Sequence, residues 1–371
     1  MDRQSEIYYT IALSSISSVG NVGFQRLINV FGSAENVFKA DKKQITKIDR
    51  VGEFLANNIL KEKTDALKKA EEEMQFIEKN HIVTLLQSDE NYPTRLKHCP
   101  DAPPVLFARG EFSSNPPHCV AIVGTRRCTQ YGTKMVKEIV EELAPYHILV
   151  ISGLAEGIDT AAHQAALDNH LSTIGVLGHG LRYIFPASNK KLAKTMIDNQ
   201  GGVLTEFLSN TPGDAFNFPR RNRIIAGMAD AIIVAEAHKK GGALITADIG
   251  FSYDRDIFAF PGKAHDSASE GCNNLIKQNK AALITSGQDV AAMMNWTNDN
   301  KKTTTTATIR TFDLNNEESK IINILQERGE VNIDDISEIS GMDALTLSSI
   351  LLTLEFKGYI ECLPGKRYHI T

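Results

Sequence analysis

Arginine and phenylalanine are concentrated in one short segment, residues 216–223, which holds three arginines and two phenylalanines. One guanidinium group can bind two phosphate oxygens at once and stays charged at physiological pH. The faces of phenylalanine rings give nucleobases a stacking surface. These residue types favour binding of single-stranded nucleic acid by a loop that lies just before an apolar strand. The alternative, which stays open, is a surface turn whose arginines pair with carboxylates of the same protein. The predicted contacts are Phe218, Arg220, Arg221, Asn222 and Arg223.

A glycine turn follows the apolar run Val120–Val123 and includes Gly124, Thr125 and Arg126. Turns at the carboxyl ends of parallel strands are where open α/β sheets bind phosphates. The dinucleotide pattern G-x-G-x-x-G is absent, and the bulky Arg126 stands where the backbone would have to approach a pyrophosphate. We therefore expect Arg126 to contact an external phosphate, with a salt bridge inside the protein as the alternative.

A second glycine turn holds Gly153 and Gly157 and leads into a predicted helix with Asp159 and His163 four residues apart. That spacing places both side chains on one helical face, where they could form a general base or half of a metal site. No third ligand follows at a suitable spacing. The sequence favours a structural role, in which Asp159 orders the turn and His163 is a hydrogen-bonded interior histidine.

Two further loops place basic residues beside glycines or aromatic side chains. In one loop, Lys190 and Lys191 follow Tyr183 and Phe185, either of which could stack on a base in addition to Phe218. In the other, Lys240 precedes a glycine pair. Because the carboxyl ends of parallel strands meet at one edge of a sheet, we expect all these loops to form one basic cleft. We expect no cofactor or metal there. The residues predicted to form phosphate-binding turns are Gly124, Thr125, Gly153, Gly157, Gly241 and Gly242.

Composition indicates an ordinary globular protein of two or three domains, because 42% of its 371 residues are apolar and 23% are charged. No apolar run approaches the roughly 18 residues of a membrane span, and residues 1–6 lack the basic and apolar parts of a signal peptide. We therefore expect a cytoplasmic protein with no membrane partner. The five cysteines include no C-x-x-C pair, which argues against a disulfide framework or a zinc site.

Charge is distributed unevenly along the chain. The net charge is −5, but residues 312–371 alone hold eleven acidic and five basic residues, a formal charge of −6, so that residues 1–311 carry +1. The acidity thus belongs to the C-terminal segment, and the remainder can hold a local basic groove.

Three segments of different pattern divide the chain. Residues 1–81 are predicted to be helical, with glycine turns that resemble helix-hairpin-helix units, a plain helical bundle being the alternative. Residues 82–296 alternate β-branched and helical runs, the pattern of a doubly wound parallel sheet in an α/β fold. Residues 297–311 have no periodicity and are predicted to be a linker. The candidate strands are Ile82–Leu86, Val120–Val123, Ile148–Ser152, Ser172–Leu177, Gly202–Thr205, Ala231–Val234, Asp256–Ala259 and Ala282–Ile284.

Residues 312–371 predict a winged-helix domain, because three helical runs precede two short strand-like runs. Lys357 is the only basic residue of the third helical run, Ala344–Lys357, whereas a helix that reads the major groove normally carries several. We therefore favour a protein-interaction role over DNA reading for this domain.

Six blocks of residues occur in one order between Ile122 and Ile276. They are Ile122–Arg126 with Tyr131 and Gly132, Ser152–Asp159 with Ala162 and His163, Phe185 and Pro186 with Asn189, Phe218 and Pro219 with Arg221–Gly227, Gly242 with Thr246 and Ala247, and Phe260–Gly262 with Gly271–Ile276. In these blocks the chain resembles the family of the DNA-processing protein DprA, also called Smf, of bacterial natural transformation.

This resemblance implies an extended Rossmann-like core that binds single-stranded DNA, forms a homodimer and delivers the recombinase RecA onto incoming DNA in the presence of single-strand-binding protein. It also implies an N-terminal sterile-alpha-motif-like helical domain, a C-terminal winged-helix domain, and a DNA pocket at Arg126, Lys190, Lys191 and residues 218–223. The chain departs from the family pattern at Arg182, where an acidic residue is common. Gly241 and Ala243 replace serines, so that loop lacks the family's hydroxyl groups.

Enzymatic alternatives lack residues that their chemistry needs. Residues 240–246 are similar to the P-G-G-x-G-T-x-x-E loop of nucleotide phosphoribohydrolases, but Lys240 replaces the proline and no glutamate follows at the required spacing. The G-x-x-x-x-G-K-[ST] pattern of ATP-binding loops occurs nowhere. A duplex-binding transcription regulator is disfavoured by the acidic C-terminal domain. We therefore expect a binding protein and not an enzyme.

Overall fold

The computed structural model describes residues 2–49, 51–297 and 314–370 of the chain. The predicted linker, residues 297–311, lies outside the described residues except for residue 297, and so does one position of the predicted glycine turn at residues 48–52. The domain boundaries stay a prediction.

The N-terminal part is helical, as predicted. Local caps define the helix starts: the Asp2 side chain accepts a hydrogen bond from the backbone N–H of Ser5, and Asp41 and Gln44 form a capping box. The five helices are α1 (Arg3–Ser14), α2 (Gly20–Phe31), α3 (Ala34–Lys39), α4 (Lys42–Thr46) and α5 (Glu53–Asn80).

The long helix α5 joins this helical part to the rest of the molecule. The buried carboxylate of Glu73 accepts hydrogen bonds from the Ser209 hydroxyl at 2.8 Å and from the Ser209 backbone N–H at 2.9 Å. Burial raises the pKa of Glu73, and the bonds from Ser209 oppose that rise. The guanidinium of Arg182 lies 5.3 Å from the ring centre of Phe76, so this departure from the family pattern serves a contact with α5.

A nine-stranded, mostly parallel sheet forms the centre of the molecule, which confirms the predicted fold class. Its order is β1-β2-β6-β5-β4-β3-β7-β8-β9, and all described neighbours are parallel except β1 with β2 and β2 with β6. The strands are β1 (Val83–Leu86), β2 (Val105–Arg109), β3 (Cys119–Gly124), β4 (Leu149–Ser152), β5 (Thr173–Val176), β6 (Gly202–Thr205), β7 (Ala231–Glu236), β8 (Asp256–Ala259) and β9 (Ala282–Leu283). The sequence predicts every one of these strands except β2.

Helices cover both faces of the sheet. They are α6 (Thr94–Lys97), α7 (Gln130–Leu143), α8 (Ile158–Asp168), α9 (Lys190–Asp198), α10 (Asn217–Met228), α11 (Gly242–Ser252), α12 (Glu270–Lys277) and α13 (Gly287–Met293). Helices α7, α8 and α13 pack in one hydrophobic cluster, and α10, α11 and α12 pack in another on the opposite face. The chain therefore leaves the neighbouring strands β3 and β7 towards opposite faces, which makes their boundary a switch point where open α/β sheets bind ligands.

The C-terminal part is a winged helix, as predicted. Its elements are α14 (Asn316–Arg328), β10 (Val331–Asn332), α15 (Ile333–Ser340), α16 (Ala344–Phe356), β11 (Ile360–Leu363) and β12 (Arg367–Ile370). Ile321, Leu325, Ile336 and Leu354 belong to its small hydrophobic core. No single helix in the described ranges is long and apolar enough to cross a membrane. Helices α15 and α16 together reach the length and apolar composition of a membrane span, but they are bent by 113° to each other.

One buried arginine connects the winged helix with the sheet. Arg367 donates a hydrogen bond of 2.7 Å to Asp230, and the same carboxylate oxygen accepts one of 2.6 Å from Arg95. The other oxygen of Asp230 accepts the backbone N–H of Cys119 at 2.8 Å. Asp230 precedes β7 and Cys119 begins β3, so the winged helix lies at the amino edge of the sheet, away from the glycine turns.

Candidate nucleic-acid interface

An open cavity of about 500 Å³ lies at the carboxyl ends of β3, β4 and β7, beside the start of α10. Arg126, Phe218, Arg221, Lys240 and Gly242 are among its lining residues. Loops that are far apart in the chain thus meet at one edge of the sheet, as the sequence predicts, and they do so at the switch point of the fold.

Arg126 projects from the turn after β3 and is exposed. Its guanidinium carbon lies 5.3 Å from the ring centre of Phe218, a cation–π distance. It forms no salt bridge with another described residue, so the structure gives no support to the alternative of an internal ion pair. The guanidinium is free to pair with an external anion.

Phe218 is the aromatic centre of the cavity mouth. Its ring stacks on Phe185 at a centre-to-centre distance of 6.0 Å and an angle of 29°. Phe185 is half exposed, whereas Tyr183 stacks on His179 and donates its hydroxyl to the Asn210 carbonyl. Of the two aromatic residues, Phe185 is therefore the one whose ring lies beside Phe218, and Tyr183 contacts its own neighbours.

The segment 216–223 is a helix where we expected a loop, since α10 begins at Asn217. Successive residues of a helix point in directions about 100° apart, so its three arginines cannot all face one cleft. Arg220 is exposed and lies 5.3 Å from the ring centre of Phe207. Arg221 and Arg223 are buried.

Arg223 does not contact the cleft, which corrects the prediction for this residue. Its guanidinium pairs with Glu206 and donates a 2.7 Å hydrogen bond to the carbonyl of Asp101. Here the alternative interpretation, pairing with a carboxylate of the same protein, is the right one. Neighbouring Asn222 is buried as well and donates to the carbonyl of Gly242, so it holds α10 against the start of α11.

Arg221 lines the cavity but is largely occupied within the protein. One of its terminal nitrogens donates to the carbonyls of Gly153 and Val176, and its Nε donates to Asn222. Burial lowers the pKa of Arg221 to about 10, partly offset by the charge of Asp159, so it remains cationic at neutral pH. It adds positive potential beneath Phe218 and fixes two loops, a different role from the predicted phosphate contact.

The glycine turns fall into two groups. The N–H of Thr125 donates to the carbonyl of Glu236, and the N–H of Gly153 donates to Asp159, so these predicted phosphate donors already have acceptors. Gly157 adopts φ +81°, and a β-carbon there would collide with the carbonyl of Thr125, so it is needed for close packing of the two turns. Gly124 likewise packs against Ile158.

Gly241 and Gly242 are different because they are exposed at the start of α11, an eleven-residue helix with no side-chain cap. The first N–H groups of a helix attract anions. Lys240 stands beside them and is exposed too. The structure leaves these residues open to solvent, and their binding of phosphate stays a prediction.

Asp159 and His163 are structural, as the sequence favours. Asp159 accepts hydrogen bonds from the backbone N–H groups of Gly153 and Ala155 and thereby orders the turn. His163 is buried and contacts Thr173 through Nδ1 at 2.7 Å, while its Nε2 has no partner among the described residues. Burial lowers the pKa of His163 to about 3, so the ring is neutral. The expectation of a fully hydrogen-bonded histidine is half correct.

Lys190 and Lys191 lie outside the cavity lining but close to its rim. They are exposed at the start of α9 and form no salt bridge with another described residue. The preceding Asn189 is buried and donates to the carbonyls of Leu154 and Ala155, which connects this turn with the cavity wall. The two lysines extend the positive rim beyond the cavity.

Glu236, at the end of β7, is a positioning residue that sequence reasoning missed. Its buried carboxylate accepts hydrogen bonds of 2.8 Å from both the backbone N–H and the hydroxyl of Thr129. It thereby fixes the turn that carries Arg126. An acidic residue at the end of an otherwise apolar strand was the available signal.

Fold and site together define a Rossmann-like protein whose switch point presents exposed cations and stacked aromatic rings, without a dinucleotide turn. A family model described as DNA recombination-mediator protein A matches residues 66–295, and a model of the DprA winged helix domain matches residues 306–366. The chain belongs to this DprA (Smf) family, whose role is DNA processing and recombination mediation.

Named relatives agree with this assignment. The chain is 44% identical over 204 residues to DNA processing protein DprA of Streptococcus pneumoniae, an alignment that covers 55% of this chain and 71% of the relative. It is 30% identical to protein Smf of Synechocystis over 98% of both chains.

Two solved structures are similar as well. The structure of DNA processing protein A from Streptococcus pneumoniae matches with a TM-score of 0.63 and 33% identity over 78% of this chain and 98% of that one. The structure from Helicobacter pylori, described for its single-stranded DNA binding mode, matches with a TM-score of 0.52 and 28% identity over 58% of this chain and 95% of that one.

Proposed function

We propose that this protein binds single-stranded DNA along the carboxyl edge of its sheet, protects incoming DNA during natural transformation and loads RecA recombinase onto it. The carrying observation is the ring of Phe218 at the mouth of the cavity, whose centre lies 5.3 Å from the guanidinium carbon of Arg126 and 6.0 Å from the ring centre of Phe185. A surface of this kind suits a chain of alternating phosphates and flat bases.

Electrostatics supports a path for the phosphates along the rim. Five cations there are exposed and form no salt bridge with another described residue, so their charge is available to an anion. They are Arg126, Lys190, Lys191, Arg220 and Lys240. The uncapped start of α11 adds backbone N–H groups on the same edge.

Stacking supplies affinity without sequence preference, since every base has a π-face. Phe185 is half exposed, and Phe216, immediately before α10, is 83% exposed. The exposed faces of these rings can accept bases beside Phe218. We therefore expect oligonucleotides of different sequence to bind with similar affinity.

Salt dependence tests the phosphate path. If about four phosphates are neutralised, the slope of log affinity against log salt is close to −3, from about 0.7 per contact for single strands. Arg126→Ala should weaken binding about tenfold and reduce the slope by about 0.7. The matched control is Arg127→Ala, because Arg127 is an exposed neighbour in the same turn that does not line the cavity. Equal effects of the two substitutions would remove Arg126 from the interface.

We also propose that the protein binds DNA and does not hydrolyse nucleotides. This proposal is supported by Asp159, whose Oδ2 accepts the backbone N–H groups of Gly153 and Ala155 and so orders the turn, and by His163, which is buried outside the cavity lining and is a weak base because burial lowers its pKa to about 3. Incubation with nucleoside monophosphates should release no free base. If the wild-type protein releases free base and Asp159→Asn abolishes that release, the protein is a hydrolase and this part of the proposal is wrong.

The partners RecA, single-strand-binding protein and a second copy of the chain are proposed from family membership. The direct test is RecA filament formation on oligonucleotides covered with single-strand-binding protein. The wild-type protein should accelerate it, and Arg126→Ala should do so less. If both proteins leave the rate unchanged while still binding DNA, loading is excluded and DNA binding stands.

A further inference from the structure

The third helix of the winged helix, α16, has an exposed face that is apolar. Leu345 is 86% exposed, Leu352 54% and Phe356 85%. These positions are seven and four residues apart, so they lie on one face of the helix. Over eleven residues, at 1.5 Å each, they form a stripe roughly 16 Å long.

The domain's own core does not use this face. Leu347, Ile350, Leu351 and Leu354 turn to the other side of α16 and are buried against α14 and the wing. Between Leu345 and Leu352 the exposed side chains are the uncharged Ser348 and Ser349, and between Leu352 and Phe356 they are Thr353 and the acidic Glu355. The stripe thus lacks the cations with which a recognition helix binds DNA.

The domain that carries the stripe is negatively charged. Most bases of the domain are engaged: Lys357 pairs with Glu318, Lys366 with Asp254, and Arg367 with Asp230. By contrast, seven exposed carboxylates of the domain form no salt bridge with another described residue. They are Glu317, Glu327, Asp334, Asp335, Glu338, Asp343 and Glu355. Asp343 precedes the stripe and Glu355 adjoins Phe356, so negative charge lies at both ends.

We infer that this face of α16 is the docking surface for a basic amphipathic helix of another protein, with three apolar anchors on one side and lysines or arginines around them. A helix of about 12 residues matches the length of the stripe, and charge complementarity selects a basic partner over an acidic one. A second copy of this domain and an anionic membrane surface both carry the same sign of charge as the rim and are disfavoured.

The test uses the full-length protein and a fluorescein-labelled 14-residue peptide of leucine and lysine with helical amphipathic periodicity. A peptide of identical composition in scrambled order is the control for charge alone. Fluorescence anisotropy at physiological salt should show at least tenfold tighter binding of the amphipathic peptide. Equal binding of both peptides, or binding of neither, overturns the inference.

Substitutions locate the binding surface. The double variant Leu352→Ser/Phe356→Ser should lose at least tenfold in affinity, and thermal unfolding will show that it folds, because both side chains are exposed. The matched control is Phe54→Ser, which removes a 74% exposed phenylalanine from α5 and should leave the affinity unchanged. A double variant that binds like the wild type contradicts the assignment.

Two further measurements separate other occupants from this one. Sedimentation of the protein alone should show no association that depends on Phe356, since such association would assign the stripe to a second copy. Vesicles of phosphatidylcholine and phosphatidylglycerol should not retain the protein. Retention that the double variant loses would assign the stripe to a membrane.

Discussion

The two edges of the central sheet use arginine in opposite ways. At the carboxyl edge, Arg126 and Arg220 are exposed and have aromatic rings as neighbours instead of carboxylates. At the amino edge, Arg95 and Arg367 are buried and share one oxygen of Asp230. One edge therefore holds cations that an external anion can neutralise, and the other holds cations that are already neutralised.

The difference shows that the burial of an arginine and the acceptors within its reach decide its role. A buried guanidinium needs carboxylate or carbonyl acceptors because an isolated charge in the interior is costly, whereas an exposed one keeps its water and can exchange it for phosphate. The same contrast recurs on α10, where Arg220 faces solvent and Arg223 pairs with Glu206.

The largest expected effect is at the amino edge. Asp230→Ala leaves Arg95 and Arg367 buried without their shared carboxylate and should destabilise the protein by about 3–5 kcal/mol. Urea denaturation can be followed by the fluorescence of Trp296, the only tryptophan, which stacks on His118 near this cluster. DNA affinity of the folded variant should not change.

The control for that substitution is Asp248→Ala. Asp248 pairs with Lys280, but both side chains are exposed, so its loss should cost less than about 1 kcal/mol. If the two substitutions destabilise equally, the amino edge is not a buried charge cluster and the comparison fails.

Next in size is the contrast within α10. Arg223→Ala leaves the carboxylate of Glu206 buried without its partner and should destabilise the protein by about 3 kcal/mol. Arg220→Ala should change stability by less than about 1 kcal/mol and weaken binding of single-stranded DNA severalfold. Thermal unfolding and anisotropy on both variants check this. The reverse pattern would exchange the roles assigned to the two residues.

A smaller effect is expected at the aromatic centre of the cavity. Phe218→Ala removes the ring that contacts both Arg126 and Phe185 and should cost about 1–3 kcal/mol of binding free energy for oligothymidylate. Phe251→Ala, at a 55% exposed phenylalanine on α11, is the control and should bind normally. Unchanged affinity in both variants would leave the carboxyl edge with electrostatic binding only.

Much of the fold can be read from the sequence because its parallel strands are covered on both faces and are continuously apolar. Strand β2 was missed although Val105–Ala108 is as continuously apolar as the other strands, and its antiparallel pairing with β1 and β6 is visible only in three dimensions. The glycine turns are predictable in position, yet the residues that occupy their N–H groups, such as Asp159 and the carbonyl of Glu236, are visible only in three dimensions.

The roles of individual arginines are the least predictable part of the site. The partners of Arg223, Glu206 and the carbonyl of Asp101, are 17 and 122 residues away, and the Gly153 carbonyl that binds Arg221 is 68 residues away. No local pattern encodes such distances. The helical state of segment 216–223 was also missed, because Pro219 and the aromatic residues favour a loop by propensity, whereas a proline in the first turn of a helix is compatible with it.

The most direct test of the central claim is photo-cross-linking of the full-length protein to oligothymidylate that carries 5-bromodeoxyuridine, with the attachment sites mapped by mass spectrometry. The account predicts cross-links in the peptides that contain Phe185 and Phe218, and their loss in Arg126→Ala at moderate salt. Cross-links confined to residues 314–370 or to the amino edge around Arg95 would contradict it.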